Sequence, residues 1–238
     1  MPETGSADTA AVTLRDVRFT WPRASGPVLD IASFSVPRGE RVFLCGPSGS
    51  GKSTLLGVIG GVLQPGQGEV RVLGTDIGRL SPAARDHFRA DQVGLVFQQF
   101  NLLPYLGVVD NVLLATRFSA RRAAAVGHDA AAAAHACLGA LGLEDARLLQ
   151  APVTDLSVGQ QQRVAVARAL LGAPGLVIAD EPTSALDADA RSAFMDLLFR
   201  ECARTGATLL FVSHDRALAQ GFDRVVELPE LNRAAVPA

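Results

Sequence analysis

Residues 46–54 read Gly46-Pro47-Ser48-Gly49-Ser50-Gly51-Lys52-Ser53-Thr54, which fits the pattern G-x-x-x-x-G-K-[S/T]. The continuous apolar run at 42–45 predicts a buried strand before it, and residues 52–62 predict a helix after it. A strand, a glycine-rich loop and a helix in this order predict a backbone loop that binds phosphate. Lys52 is the only lysine among 22 basic residues, which indicates that this position needs a compact point charge.

The bulk composition sets limits on what the chain can be. Its 238 residues, 48% of them apolar, suffice for one large domain or two small ones. A net charge of −2 gives no electrostatic reason to expect nucleic acid as the main partner. Three widely spaced cysteines argue against a disulfide framework and favour a reducing compartment. Residues 1–10 lack the apolar segment of a signal peptide, and no apolar run is long enough to span a bilayer, so we expect membrane contact only through a partner.

The pattern along the chain predicts an α/β fold. Two or three antiparallel strands precede the loop, and short buried strands alternate with helices after it. Residues 100–154 are rich in Ala and Leu and predict a helical subdomain inserted into the α/β core. Residues 229–238 are expected to form a loosely ordered tail.

A second chemical element follows the buried strand predicted at 176–179. Asp180 and Glu181 come directly after this strand, where carboxylates lie beside the phosphate loop in such a fold. We expect Asp180 to hold Mg²⁺ and Glu181 to polarise the attacking water, a role worth about 10²–10⁴ in rate. Taken alone, the pair could equally cap a helix before Pro182.

A third element identifies a resemblance to a known family. It consists of Leu156, Ser157, Val158, Gly159 and Gln160. The stretch resembles the L-S-G-G-Q signature of the ATP-binding cassette (ABC) family, and the resemblance extends over most of the chain. Val158 departs from the family pattern, which has Gly there, and we expect this change to be tolerated because Ser157 and Gly159 are present.

The resemblance implies roles for further residues. Gln98 matches the Q-loop, which ligates Mg²⁺, and His214 matches the switch histidine, which contacts the γ-phosphate. Trp21 matches the aromatic residue that stacks on adenine, although a plain core or surface tryptophan is the alternative. The D-loop at the dimer interface corresponds to Ser184, Ala185, Leu186 and Asp187. The remaining histidines, His87, His128 and His135, are expected on the surface.

The family also implies an architecture: a RecA-like P-loop NTPase core with a mostly parallel sheet, an N-terminal antiparallel β-subdomain and an inserted helical subdomain. Residues 10–98 and 156–230 would form the core with the β-subdomain, and 99–155 the helical part of this single ABC ATPase domain. The implied catalytic residues are Lys52, Glu181 and His214. The implied ATP-binding residues are 46–54, Trp21 and Gln98, and the implied Mg²⁺ ligands are Ser53, Gln98 and Asp180.

The resemblance implies Mg²⁺-dependent ATP hydrolysis coupled to transport. Two copies would form a head-to-tail homodimer with two ATP molecules between the phosphate loop of one copy and the signature of the other. A transmembrane permease would dock on the helical subdomain and hold the protein at the cytoplasmic face of the inner membrane. No nucleic acid partner is expected.

Residues 96–104 and 108–112 are most similar to the lipoprotein-release and macrolide-export branch, although importers of polar amino acids have a closely similar stretch. A soluble ABC ATPase is the rival class. DNA-repair members carry a long coiled coil and translation members usually carry two cassettes, and this sequence has neither. A regulatory subunit that binds ATP without hydrolysing it is disfavoured because Glu181 and His214 are both present.

Overall fold

The computed structural model describes residues 9–184 and 186–234. Residues 1–8, Ala185 and residues 235–238 lie outside the described residues. The prediction that the first residues are not a signal peptide, one position of the D-loop and the last four tail residues therefore lie there. The strands are β1 Ala10–Phe19, β2 Leu29–Pro37, β3 Arg41–Cys45, β4 Gln67–Val72, β5 Thr75–Asp76, β6 Val93–Val96, β7 Leu176–Asp180, β8 Thr208–Val212 and β9 Arg224–Glu227. The α-helices are α1 Lys52–Ile59, α2 Pro82–Gln92, α3 Val108–Arg117, α4 Ala120–Val126, α5 Ala130–Ala140, α6 Ala146–Gln150, α7 Val158–Leu170, α8 Ala188–Thr205 and α9 Leu228–Leu231.

The chain divides into two compact units. The first comprises Met1–Arg89 with Thr208–Ala238, and the second comprises Ala90–Ala207. The predicted helical subdomain at 99–155 lies within the second unit, and its bounds stay a prediction. Among the described residues, no helix has both the length and the apolar content that crossing a bilayer requires.

The antiparallel sheet of the first unit has the strand order β2-β1-β4-β5. Val12 of β1 lies opposite Val36 of β2 and Val72 of β4, and all three side chains are fully buried. β-Branched side chains in such cross-strand rows stabilise a sheet. The predicted antiparallel sheet is therefore confirmed, and β4 and β5, which follow the phosphate loop in sequence, complete it.

Three parallel strands of the first unit, in the order β8-β3-β9, hold the phosphate loop. The side chains at 42–45 of β3 are all buried, as expected for a strand covered on both faces. Phe43 stacks against Phe211 at 6.0 Å between ring centroids, and Phe222 lies 5.2 and 5.3 Å from the two rings. Aromatic pairs of this kind add about 0.5–1.5 kcal/mol each beyond area burial, so the base of the loop is stiffly supported.

The second unit contains the parallel pair β6-β7 and the helices α3 to α8. Residues 108–150 are helical apart from short connections, which confirms the predicted change of character in this region. Arg122 of α4 is 3% exposed and donates to the carbonyl oxygens of Val93 (2.7 Å) and Ala169 (3.2 Å). Burial lowers the pKa of Arg122 to about 10. The guanidinium thus ties α4 to β6 and α7.

Two predictions for single elements were wrong. Helix α1 ends at Ile59 rather than at residue 62, because Gly60 and Gly61 follow and Gly61 takes a left-handed conformation with φ of 70°. The tail is not loosely ordered at 229–232. Helix α9 forms there, and the buried Asn232 side chain accepts a hydrogen bond from the Asp30 N–H at 2.8 Å.

Candidate functional site

The phosphate loop connects β3 to α1, and the side chain of its lysine bonds back to the start of the loop. The ammonium of Lys52 donates to the carbonyl oxygens of Gly46 at 2.8 Å and Pro47 at 2.9 Å. Phosphate oxygens are stronger acceptors than these carbonyls because they carry charge. A bound phosphate can therefore draw the ammonium away from the loop, and Ser53, the next residue, is exposed beside it.

The loop needs glycine at its junction with the helix. Gly51 caps α1 with φ of 98°, a conformation that side chains disfavour. A Cβ at this position would lie 3.1 Å from Leu29 Cδ2 and 3.2 Å from the Val28 carbonyl oxygen. The turn can therefore direct its N–H groups outward at the positive end of α1 only without a side chain there.

His214 lies at the same edge of the first unit's parallel strands as the loop. Leu44 of β3 lies opposite Val212 of β8 in parallel register. Gly46 and His214 each follow two residues beyond these partners, and the imidazole of His214 is exposed. The structure therefore brings the phosphate loop and the predicted switch histidine to one edge of neighbouring strands.

Trp21 lies in the turn after β1, which also reaches the phosphate loop. Its ring is 44% exposed and meets Phe19 edge to face, with centroids 5.0 Å apart. The turn closes through a 2.8 Å bond from the Val28 N–H to the Phe19 carbonyl oxygen, and Val28 lies against Gly51. The indole is thus a large exposed aromatic surface on a turn whose far end contacts the loop.

In the second unit, two predicted site residues share a strand edge. Val96 of β6 lies opposite Ala179 of β7 in parallel register, so Gln98 and Glu181 each follow two residues beyond a paired position. Gln98 is exposed, whereas Asp180 and Glu181 are half-buried. One amide and two carboxylate side chains thus lie at the carboxyl ends of these two neighbouring strands.

Glu181 has a left-handed backbone with φ of 47°. This conformation costs a residue with a side chain about 1–2 kcal/mol and persists only where the surroundings hold it. The next residue, Pro182, is buried, and its carbonyl oxygen accepts a 2.7 Å hydrogen bond from the fully buried side chain of Gln162. Helix α7 therefore fixes the chain directly after the predicted catalytic carboxylate.

The signature stretch begins helix α7. Ser157 and Gln160 form a capping box: Ser157 Oγ accepts from the Gln160 N–H at 3.3 Å, and Gln160 Oε1 accepts from the Ser157 N–H at 2.8 Å. Val158 is 46% exposed, and its backbone φ is not positive. The local backbone therefore does not require glycine at Val158, and the tolerance of this substitution stays a prediction.

The described part of the D-loop leads into α8. Asp187 caps this helix and accepts from the Ala190 N–H at 2.8 Å. A Cβ on Gly159 would lie 3.7 Å from Leu186 Cδ2, in ordinary contact. The signature and the D-loop are therefore neighbours on the surface of the second unit.

Three side chains that the sequence did not single out support these motifs. Gln162 bonds Pro182, and Arg168 of α7 donates to the carbonyl oxygens of Phe100 at 2.6 Å and Asn101 at 2.7 Å, two and three residues after Gln98. Burial lowers the pKa of Arg168. The third is Asn232, which bonds the phosphate loop. Gln162 and Arg168 lie on α7, the helix that begins at the signature, but their partners follow only from the fold.

We assign no chemical role to the cysteines or to the remaining histidines. Cys45, just before the loop, is buried, and burial together with Glu227 raises the pKa of its thiol to about 11, which disfavours the reactive thiolate form. The described residues contain no group of three or more His, Cys, Asp and Glu that could hold a metal ion. As expected, the remaining histidines are exposed: His87, His128 and His135.

Known proteins resemble this chain over most of its length. A family model described as ABC transporter matches residues 29–184. The lipoprotein-releasing system ATP-binding protein LolD of Anaeromyxobacter dehalogenans is 45% identical over 202 residues, which is 85% of this chain and 82% of that protein. The macrolide export ATP-binding/permease protein MacB 1 of Aeromonas hydrophila is 40% identical over 203 residues, which is 85% of this chain but 30% of that protein.

A solved structure shares the fold. It is the dimeric post-hydrolysis state of the ATP-binding cassette MJ0796 of Methanocaldococcus jannaschii, bound to ADP and Pi. Its TM-score is 0.82 at 36% identity, and the match covers 94% of this chain and 98% of that one.

Proposed function

The chain belongs to the ABC transporter family, and we propose that it is the ATP-hydrolysing subunit of a transporter that exports a substrate or releases lipoproteins through a separate transmembrane partner. The phosphate loop is the observation that carries the proposal. The only lysine of the chain lies in it, and two backbone carbonyls hold the ammonium at 2.8 and 2.9 Å, where a triphosphate can take their place.

The family resemblance assigns a role to each of the other predicted residues. Lys52 contacts the β- and γ-phosphates and His214 hydrogen-bonds the γ-phosphate, while the indole of Trp21 stacks on adenine. Glu181 orients and polarises the attacking water. The left-handed backbone of Glu181 supports this role, because strain of this kind concentrates at active sites.

The residues proposed as Mg²⁺ ligands suit that ion. Ser53 and Gln98 are exposed, and Asp180 is half-buried at the end of β7. Mg²⁺ prefers oxygen donors and is usually held by one or two carboxylates together with substrate phosphates. When bound with ATP, Mg²⁺ would offset the negative charge on the β- and γ-phosphates.

A second copy completes each site. The capped start of α7 exposes Ser157 and Val158, so the positive end of this helix is open to a phosphate on another molecule. We infer a head-to-tail homodimer that binds two ATP molecules between loop and signature, and the solved dimer of MJ0796 supports it. Closure on ATP and opening after hydrolysis would drive the membrane partner.

The names of the relatives favour release or export over the import of polar amino acids. The permease would dock on the helical subdomain, proposed at 99–155, and would hold the protein at the inner membrane from the cytoplasmic side. Membrane contact then occurs only through the permease.

The central test replaces the proposed catalytic carboxylate with an amide in Glu181→Gln. ATP turnover should fall at least about 100-fold because the attacking water loses its base. Nucleotide binding should persist, so light scattering after gel filtration should show an ATP-dependent dimer. Glu144→Gln makes the same chemical change at an exposed position and should behave like the original chain.

Two results would contradict separate parts of the proposal. Undiminished turnover in Glu181→Gln would remove Glu181 from catalysis. A monomer at saturating ATP would instead rule out the two-copy site while leaving ATP binding intact.

The type of transport is tested by co-purification. A partner with four membrane spans and a large extracytoplasmic domain, encoded by the neighbouring reading frame, should co-purify and stimulate ATP turnover. A six-span permease that operates with a solute-binding protein would establish import instead.

A further inference from the structure

The C-terminal turn of the first unit lies against the phosphate loop. A Cβ on Gly46 would lie 3.2 Å from Pro229 Cδ and 3.4 Å from Leu228 Cβ, so the turn contacts the start of the loop. Leu228 is fully buried, which anchors α9 at this place.

Asn232, directly after α9, bonds the middle of the loop. Its side-chain Nδ2 donates to the Val28 carbonyl oxygen at 2.8 Å and to the Ser50 carbonyl oxygen at 3.3 Å. Its Oδ1 accepts from the Asp30 N–H at 2.8 Å. The amide is 8% exposed and therefore joins the loop to the start of β2 away from bulk water.

The bond to Ser50 controls the direction of one loop N–H. The Ser50 carbonyl and the Gly51 N–H belong to one planar trans peptide and point to opposite sides of it. Holding the carbonyl toward Asn232 therefore turns the Gly51 N–H away from Asn232. Gly51 has no side chain to restrict its backbone, so a bond to the Ser50 carbonyl favours one orientation of this peptide over others.

We propose that Asn232 is a positioning residue for ATP binding: it orients the peptide between Ser50 and Gly51 so that the loop is prearranged for phosphate. The inference rests on the proposed function, since it concerns the same phosphate loop. A prearranged loop binds phosphate more tightly because less conformational entropy is lost on binding.

The test compares steady-state ATP hydrolysis by Asn232→Ala and by the original chain. The variant removes the bonds to Asp30, Val28 and Ser50, of which only the bond to Ser50 orients the loop. The KM for ATP should rise about 3- to 10-fold, the effect of losing that one net hydrogen bond, while kcat stays within about twofold. A purely structural role gives the opposite pattern, because a smaller folded fraction lowers kcat and leaves KM unchanged.

A second variant guards against loss of folding. Asn232→Asp keeps an acceptor for the Asp30 N–H but loses the donations to Val28 and Ser50, so KM should rise at least as much as in the alanine variant, because the carboxylate also adds negative charge behind the loop. Arg233→Ala is the matched control, because that side chain is exposed and the residue's bond to the Asp30 carbonyl uses only its backbone N–H. Its KM should not change.

Binding can also be measured without turnover. Lys52 carries the only side-chain amine of the chain, so an amine-reactive reagent followed by peptide mass analysis reports on this one side chain. ATP should protect Lys52, and half-protection of Asn232→Ala should need about 3- to 10-fold more ATP. An unchanged KM and unchanged protection in both Asn232 variants would overturn the inference. If ATP neither protected Lys52 in the original chain nor was hydrolysed by it, the proposed function would be overturned instead.

Discussion

Replacing Arg168 with Met should loosen the segment that follows Gln98. The guanidinium donates to the carbonyl oxygens of Phe100 at 2.6 Å and Asn101 at 2.7 Å. Both acceptor residues have left-handed backbones, with φ of 56° and 49°. Methionine keeps an unbranched stem of similar length and removes every donor, so the change isolates these two hydrogen bonds.

The expected decrease in the free energy of unfolding follows from two opposing contributions. Hydrogen bonds from a charged group contribute about 1.5–3 kcal/mol each, and because Arg168 is half-buried we take the lower figure, or about 3 kcal/mol for the pair. Each left-handed residue costs about 1–2 kcal/mol, part of which is recovered once the segment relaxes. A net loss of about 1–2 kcal/mol remains, which lowers the melting temperature of a chain of this size by about 2–8 °C.

Arg168→Met should also lower kcat, because Gln98 lies two residues before Phe100. A displaced active-site group can cost up to about 100-fold in rate, so we expect kcat to fall about 10- to 100-fold. Differential scanning fluorimetry and steady-state ATPase assays measure the two effects. Arg163→Met removes a guanidinium from the same helix beside Gly142 and serves as the control. Arg168→Lys should recover part of the activity through one donated bond.

The reasoning is refuted if Arg168→Met matches Arg163→Met in both melting temperature and kcat. A lower melting temperature with unchanged kcat would show that Arg168 stabilises the unit without holding the segment after Gln98 in its working position.

Two further changes test the loop and the buried thiols. Gly51→Ala should abolish the rise in melting temperature on adding ATP, because its Cβ would meet Leu29 and Val28, whereas Gly74→Ala, with φ of 86° and open space around it, should keep that rise; an intact response in Gly51→Ala would contradict the steric account. Burial raises the pKa of Cys137 to about 11 from an ordinary 9.0, so the unfolded chain releases this proton first and the free energy of unfolding should fall between about pH 9 and 11. Urea unfolding at several pH values should show that the free energy of unfolding falls less steeply with pH in Cys137→Ala than in the original chain. If the two chains lose stability equally with pH, the raised pKa of Cys137 is contradicted.

Local patterns predicted much of the fold correctly. The apolar run at 42–45, the glycine-rich loop and the helix after it were all confirmed, since each depends on neighbouring residues in sequence. Short buried strands and helices follow the loop as predicted, and α7 begins one residue after its capping serine, Ser157. The predicted bounds failed where glycines stopped α1 early and where the tail was expected to lack order.

The sequence by itself determined the family and the α/β fold and predicted which motifs carry the chemistry, because the loop, the strand-end carboxylates and the signature each consist of consecutive residues. Only the tertiary structure showed how these motifs are held: Asn232 bonds Ser50 across 182 positions, Arg168 bonds Phe100 across 68, and Gln162 bonds Pro182 across 20. The physical reason is that a polar side chain carries no local mark of its partner. Once folding buries it, the loss of water makes a hydrogen bond necessary, and only the packing of distant segments decides which carbonyl is within reach.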